Sequence, residues 1–297
     1  MANHYEKFSF DKASKFSSEE RFFDINYAWT PALPWVVEKL YYTPVRPEAI
    51  IFMSMSSGII SAWFYAQGDY ASSLLGVLFI QLKNYLDTVD GHIARAKGIA
   101  TRLGRFLDSL ADAVAYLCLF AGIGYNLASK GMGNKAYLLS FPAMATGFVL
   151  CSIYCYYLVS YKKFLAGEGL NRTDEGIKES ERTGYMRSAS GRLLFFLHLI
   201  YLLIYGWQDR LAAWLDLNAL DKARKGGLKL SGKSLEGFWY ADKKFLAGVA
   251  PLCFGTQIMF LSIFTLFGCL EEFLWFLIIF GNGYAAALVL GRGRGAG

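Results

Sequence analysis

Residues 80–119 read IQLKNYLDTVDGHIARAKGIATRLGRFLDSLADAVAYLCL, and the fold follows from how this stretch is read. Two segments of helical period flank a short basic linker that holds Lys97 and Arg102, with Arg95 and Arg105 beside it. At about 100° per residue, Asp87, Asp90, Gly91, Ala94 and Arg95 share one face of the first segment. Gly104, Asp108 and Asp112 stack on one face of the second, successive steps rising about 6 Å. A short linker joins antiparallel neighbours, so the marked faces are expected to meet. The stretch therefore predicts a helical hairpin with its carboxylates gathered near the linker end.

The surroundings of the hairpin are apolar. The chain has 297 residues, 55% of them hydrophobic and only 18% charged, below the roughly 25% usual in soluble domains. Runs such as Leu193–Trp207 and Phe254–Phe267 are too continuous for helices with one wet face. The expectation is an all-α integral membrane protein, a bundle of six or seven transmembrane helices. The spans fall at about 49–68, 70–95, 104–127, 136–160, 192–207 and 246–267, with a seventh at about 270–290. Residues 1–48 form a cytosolic and interfacial N-terminal segment, and 49–291 a single transmembrane domain. Within the N-terminal segment, Ser17-Ser18-Glu19-Glu20 reads as a helix start. Pro34 opens a short interfacial helix with Trp35 and Tyr41 at head-group level.

The first thirty residues hold no apolar signal core, which predicts a cytosolic N-terminus. The basic hairpin linker then also faces the cytosol, as the positive-inside tendency requires. The same parity puts the polar stretch 208–245, rich in Lys and Arg, on the outer side, against that tendency. The formal charge of +6 is carried by residues flanking spans. Anionic head groups account for it, and no nucleic-acid partner is implied. Cys118, Cys151, Cys155, Cys253 and Cys269 lie in or beside spans at no zinc-binding spacing, and read as packing residues.

Acids at membrane depth demand a chemical reason. Each charge at the bilayer centre costs about 2.5–3.5 kcal/mol on insertion scales, before mutual repulsion is counted. Divalent cations remove that penalty, and oxygen-only ligands favour Mg²⁺, Mn²⁺ or Ca²⁺ over zinc. Four carboxylates make a pair of ions possible, as in phosphoryl-transfer sites, with the carboxylate farthest from them acting as a base. Gly91, Ala94 and Gly104 keep the helix surfaces low beside the acids, and Arg95 offers a planar cation suited to phosphate oxygens.

The pattern DxxDG(xx)AR(x8)G(xxx)D(xxx)D, running from Asp87 to Asp112, resembles the signature of the CDP-alcohol phosphotransferase (CDP-alcohol phosphatidyltransferase) family at every fixed position. The resemblance implies a helical membrane enzyme of phospholipid biosynthesis in the cell (inner) membrane or its equivalent, its cavity open to the cytosol. It implies two divalent cations, Mg²⁺ or Mn²⁺, and a homodimer. Asp87, Asp90 and Asp108 would bind metal, while Asp112 would be the catalytic base and a further metal contact. Gly91, Ala94 and Arg95, with Gly104 opposite, would line the site for the CDP moiety of the donor. One departure stands out. Family members often open their first helix with Pro-Asn-x-x-Thr, where this chain has Pro47-Glu48-Ala49-Ile50-Ile51, so no nucleotide contact is assigned to that helix.

The expected reaction moves a phosphate-linked group from a CDP-linked donor, foremost CDP-diacylglycerol, to an alcohol acceptor, with CMP leaving. Transfer from CDP-choline or CDP-ethanolamine to diacylglycerol uses the same site. A membrane prenyltransferase would place its acids on well-separated helices. A metal or ion transporter would need a polar path beyond Asp112, where the sequence turns apolar. Arg102, Arg105 and Lys163 are candidates for holding an acidic or phosphorylated acceptor, with Lys83, Lys162, Arg187 and Arg192 behind them. Lys83 and Asn84 lie within reach of Asp87, and Lys83 either orients it or snorkels. His92 is expected at a surface or interface, and His198 as a satisfied packing residue.

Overall fold

The computed structural model describes residues 7–167, 169–225 and 235–292. Among these every regular element is a helix. Two short helices, α1 (Phe10–Ala13) and α2 (Leu33–Tyr41), precede the long α3 (Pro47–Ala66), α4 (Tyr70–Ala96), α5 (Arg102–Leu127) and α6 (Lys135–Ala166). Then come α7 (Glu179–Met186), α8 (Ala189–Ile204), α9 (Gly206–Lys225), α10 (Leu235–Tyr240) and α11 (Lys243–Val249). The chain closes with α12 (Phe254–Leu266), α13 (Leu270–Trp275) and α14 (Asn282–Gly291), the last two joined by a wide π turn.

Four stretches are long and apolar enough to cross a membrane: Pro47–Ala66, Arg102–Met132, Lys135–Ala166 and Leu270–Gly291. Two bent pairs raise that number to six if each counts as one span. These are Ala189–Ile204 with Gly206–Lys225, bent by 53°, and Lys243–Leu252 with Phe254–Leu266, bent by 46°. The protein is an integral membrane protein. With 27 residues α4 is long enough too, but Lys83, Asn84, Asp87, Asp90, His92 and Arg95 make its second half too polar to face lipid. It needs protein around it.

The chain divides into two compact units, each described by itself. The first comprises Met1–Arg21, Tyr27–Ser140 and Leu261–Leu270. Its centre is α3, which packs along both α4 and α5. Small residues make that approach possible. A Cβ on Gly58 would sit 2.6 Å from the Ala115 Cβ, and one on Gly122 would sit 2.4 Å from the Ala62 carbonyl oxygen. Ser61 Oγ donates to the Gly76 carbonyl at 2.7 Å and Ser54 Oγ to the Lys83 carbonyl at 3.0 Å, fixing α4 to α3 by backbone acceptors. Such seams of Gly, Ala and Ser bind membrane helices by close contact rather than by hydrophobic burial. Contrary to the hairpin expectation, α4 and α5 are not close backbone neighbours. They reach each other through side chains, as in the ion pair of Lys83 with Asp112.

Helix ends follow local chemistry. Asp69 caps α4 by accepting from the Ser72 N–H at 2.8 Å, and Thr101 caps α5 by accepting from the Gly104 N–H at 3.1 Å. Gly98, with φ of +66°, makes the turn between them. Lys97 Nζ ties this linker down by donating to the Thr43 and Val45 carbonyls, both at 2.7 Å.

The N-terminal residues pack on the same unit. Leu33 and Val37 of α2 join Ala13, Ile50, Val89 and Ile93 in one buried cluster, while Trp35 stays exposed. The helix expected after Pro34 is present, with one face in protein. The expected helix at Ser17–Glu20 is only a turn. Ser17 N–H donates to Glu20 Oε2 at 3.0 Å, half of a capping box, but the chain leaves helical geometry at once.

The second unit comprises Phe22–Asn26, Phe141–Phe260 and Glu271–Gly297. The stretch 208–245, read from sequence as a polar loop, is mostly helix: α9 continues α8 beyond the bend, and α10 and part of α11 follow. Residues 226–234 of this stretch lie outside the described residues. His198 is fully buried and satisfied, as expected, with Tyr185 Oη at 3.0 Å from Nδ1 and the Glu175 carbonyl at 2.6 Å from Nε2. The cysteines are free thiols among the described residues.

Candidate active site and metal centre

Three of the marked acids come together. One oxygen from each of Asp87, Asp90 and Asp108 lies within 4.8 Å of the others, a grouping that can hold a metal ion. Asp87 and Asp90 come from successive turns of α4, and Asp108 reaches across from the second turn of α5. Asp90 is buried, at 4% exposure, and its Oδ2 has no hydrogen-bond partner. A buried carboxylate oxygen without a donor is costly, and a cation is the natural way to satisfy it. The residues present fit a hard divalent ion, since every candidate donor is a carboxylate oxygen.

Asp112 lies beside that trio, in side-chain hydrogen-bond contact with Asp87. Its Oδ1 forms a close ion pair with Lys83 Nζ, and the same ammonium lies 3.3 Å from Asp87 Oδ1. Lys83 does not snorkel. At 1% exposure it is among the largest fully buried side chains of the chain, with its ammonium turned into the acidic cluster. The sequence reading raised orientation of Asp87; the main partner is Asp112, one helix away. Nothing in the local spacing signals this, because the two residues lie on different elements.

Gly91 has a use that the sequence reading did not foresee. A Cβ there would sit 3.2 Å from Arg95 Nη1, so the missing side chain makes room for the Arg95 guanidinium folded back along α4. Arg95 Nε donates to the Ala13 carbonyl at 2.7 Å, which anchors α1 on this face. Ala94 lies half-buried on the same face, and Gly104 meets only the Thr101 hydroxyl, at ordinary contact distance. The guanidinium carbons of Arg102 and Arg105 lie 5.4 and 4.4 Å from the centre of the Phe106 ring, at the start of α5. Lys163 belongs to the second unit, in the last turn of α6.

His92 is a correction. Expected at a surface, it is buried at 5% exposure, stacked on Phe10 at 5.6 Å, with Nδ1 2.7 Å from the Thr88 carbonyl. Helix α1 covers it, and a helix of four residues leaves too faint a sequence signal to foresee that cover. The seam of Ser54, Ser57, Gly58 and Ser61 on α3 was likewise missed as the element that seats both acidic helices. Its signal was present in the small residues spaced at helical steps.

The sequence profile of the CDP-alcohol phosphatidyltransferase family matches residues 45–217, which is more than half of the chain. The chain belongs to the CDP-alcohol phosphatidyltransferase family. The matched region holds α3 to α8 and therefore the whole acidic cluster. Among characterised proteins, the chain is 33% identical over 107 residues to the phosphatidylinositol phosphate synthase of Streptomyces avermitilis, covering 36% of this chain and 43% of that protein. It is 38% identical over 81 residues to a CDP-diacylglycerol–glycerol-3-phosphate 3-phosphatidyltransferase of Aquifex aeolicus, covering 26% and 43%. It is 27% identical over 95 residues to the ceramide phosphoethanolamine synthase of Drosophila melanogaster, covering 30% and 24%. The aligned part thus spans less than half the length of each of these relatives.

Proposed function

We propose that this family member transfers a phosphate-linked group from a CDP-activated donor to an alcohol hydroxyl and releases CMP. CDP-diacylglycerol is the donor we favour, and a phosphatidyl-alcohol the product. The observation that carries the reading is the convergence of Asp87, Asp90 and Asp108 into one oxygen-only cluster, with Asp112 beside it, on the family signature. The similarity to phosphatidyl-transferring relatives supports the choice of donor.

Asp87, Asp90 and Asp108, with Asp112 as a further contact, would hold two divalent cations, Mg²⁺ or Mn²⁺. Bound there, such ions supply charge neutralisation for a diphosphate and for the oxygen that departs with CMP. Asp112 takes the proton of the acceptor hydroxyl as its oxygen attacks phosphorus. Gly91, Ala94, Arg95 and Gly104 form the surface for the CDP moiety, with Arg95 able to exchange its hydrogen bond to Ala13 for one to phosphate. Arg102 and Arg105 at the start of α5 are the proposed contacts for an acidic acceptor. We place the protein in the cell (inner) membrane or its equivalent as a homodimer, with residues 49–291 as the catalytic membrane domain.

A second reading has its own support. The similarity to a ceramide phosphoethanolamine synthase fits transfer of a CDP-linked small alcohol onto a lipid hydroxyl. One assay separates the two. Purified protein with Mg²⁺ and CDP-diacylglycerol is given serine, glycerol 3-phosphate, inositol or inositol phosphate, with CMP release followed beside an Asp112→Asn control. Acceptor-dependent release, lost in the control, is the expected result. Release only from CDP-choline or CDP-ethanolamine with a lipid acceptor would transfer the assignment to the second reading. No release from any donor would refute both.

A further inference from the structure

Residues 7–21 form a strap that lies outside the stretch matched by the family profile, which begins at residue 45. The strap is nevertheless seated on the signature helix α4. Phe10 stacks on His92 at 5.6 Å, Ala13 is fully buried, and the Ala13 carbonyl accepts from Arg95 Nε at 2.7 Å. The Phe8 N–H donates to Tyr42 Oη at 3.2 Å, and Arg21 closes the strap on itself by pairing with Asp11 at 2.5 Å. The backbone is fixed on both sides of Lys15. Ser14 Oγ donates to the Phe10 carbonyl at 3.0 Å, and Phe16 is buried at 8% exposure.

This seat brings Lys15 to the acidic cluster. Two residues carry the chain at most about 7 Å beyond Ala13. Arg95, which holds Ala13, shares its helix face with Asp87, Asp90, Gly91 and Ala94. From there the Lys15 ammonium acts electrostatically on both His92 and Asp108. Arg21 is already engaged by Asp11, whereas Lys15 is exposed and has neither a hydrogen bond nor an ion pair among the described residues. We infer that Lys15 is a further ligand-binding residue, an ammonium that the strap holds beside the acidic cluster to meet a phosphate group of the bound substrate. The inference deepens the proposed function and rests on that reading for the ligand. Divalent ions would answer the carboxylates, which leaves the charge of Lys15 for the ligand. The chemistry it recognises is a phosphate oxyanion, carried either by the diphosphate of a CDP donor or by a phosphorylated acceptor. A lysine that only solvated the strap would make a different prediction, since its removal would leave ligand affinity unchanged.

The test is calorimetric binding to the full chain in detergent at saturating Mg²⁺, with CDP and glycerol 3-phosphate as separate probes. Lys15→Met keeps the unbranched stem and removes the charge. It is expected to weaken one of the two probes by about tenfold, the size of a lost charge-assisted contact. A loss on CDP makes the donor diphosphate the partner, and a loss on glycerol 3-phosphate makes it the phosphate of an acceptor. Lys15→Arg should keep the affinity. Lys12→Met removes a charge from the same strap and should change it by less than about twofold, because an exposed charge without direct contact is screened. Rising salt should weaken the wild type more steeply than Lys15→Met. Equal binding of both probes by wild type and Lys15→Met overturns the inference and leaves the transferase reading standing, as does an equal loss in Lys12→Met. A wild type that binds neither probe overturns both.

Discussion

Two buried clusters in this protein, one in each unit, pair carboxylate with cation and end in opposite states. In the second unit Asp216 of α9 is fully buried and completely served. Its Oδ1 accepts from Trp239 Nε1 at 2.7 Å and from Arg292 at 3.2 Å, and its Oδ2 from Tyr240 at 2.8 Å and Tyr156 at 3.2 Å. The Arg292 guanidinium lies 3.7 to 4.6 Å from the ring centres of Phe245, Trp239 and Tyr157 and donates to the Trp239 carbonyl. One negative charge meets one positive charge, and no acceptor on Asp216 is left over. In the first unit the buried Lys83 ammonium contacts Asp87 and Asp112, and among the described residues Asp90 Oδ2 has no hydrogen-bond partner. A completed polar cluster holds a fold together, whereas an incomplete one is a place held open for something else.

Breaking each cluster should have opposite consequences. Asp90→Asn or Asp108→Asn should reduce CMP release to background, while thermal stability without metal stays level or rises because like-charge repulsion is relieved. Activity and melting temperature measured on the same preparation check this. Asp216→Ala should do the reverse. It leaves Arg292 buried without its carboxylate and should cost about 3–5 kcal/mol of stability, read by denaturant or thermal unfolding, with activity per folded molecule unchanged.

Adding metal sharpens the comparison. Mg²⁺ at a hundredfold excess over its dissociation constant should stabilise the wild type by about 2.7 kcal/mol, and EDTA should reverse the shift. Asp90→Asn should lose most of that stabilisation, and Asp216→Ala should keep it. The smallest effect belongs to the cap that orients the acidic helix. Thr101→Ala removes the acceptor for the Gly104 N–H and should cost about 1 kcal/mol, with a modest fall in activity.

What the sequence disclosed, and what it hid, follows the same division. The span expected at 70–95 is α4 at Tyr70–Ala96, because an apolar run and a fixed helical period depend on the segment alone. The grouping of Asp87 and Asp90 with Asp108 was legible for the same reason, since helix geometry determines which residues share a face. The helical character of 206–225 was not, because its mixed charges hide a helix whose buried stripe includes Asp216. The bends after α8 and before α12 fall at Gly206 and Pro251, local signals that the expectation of straight spans passed over. The partner of Lys83 and the burial of His92 under α1 were hidden too, for both arise between elements. Even the hairpin was read too simply. Its acidic faces meet only through side chains, because α3 seats α5 at Gly58 and Gly122 and holds α4 through Ser54 and Ser61.

The central claim is that the incomplete cluster of the first unit is a metal-dependent transferase centre. CMP release from CDP-diacylglycerol by the purified chain, with and without Mg²⁺ and beside Asp108→Asn, tests it most directly. The account predicts release that requires both the ion and an alcohol acceptor and is absent in the variant. Equal release from wild type and Asp108→Asn, or release indifferent to Mg²⁺ and EDTA, would contradict it.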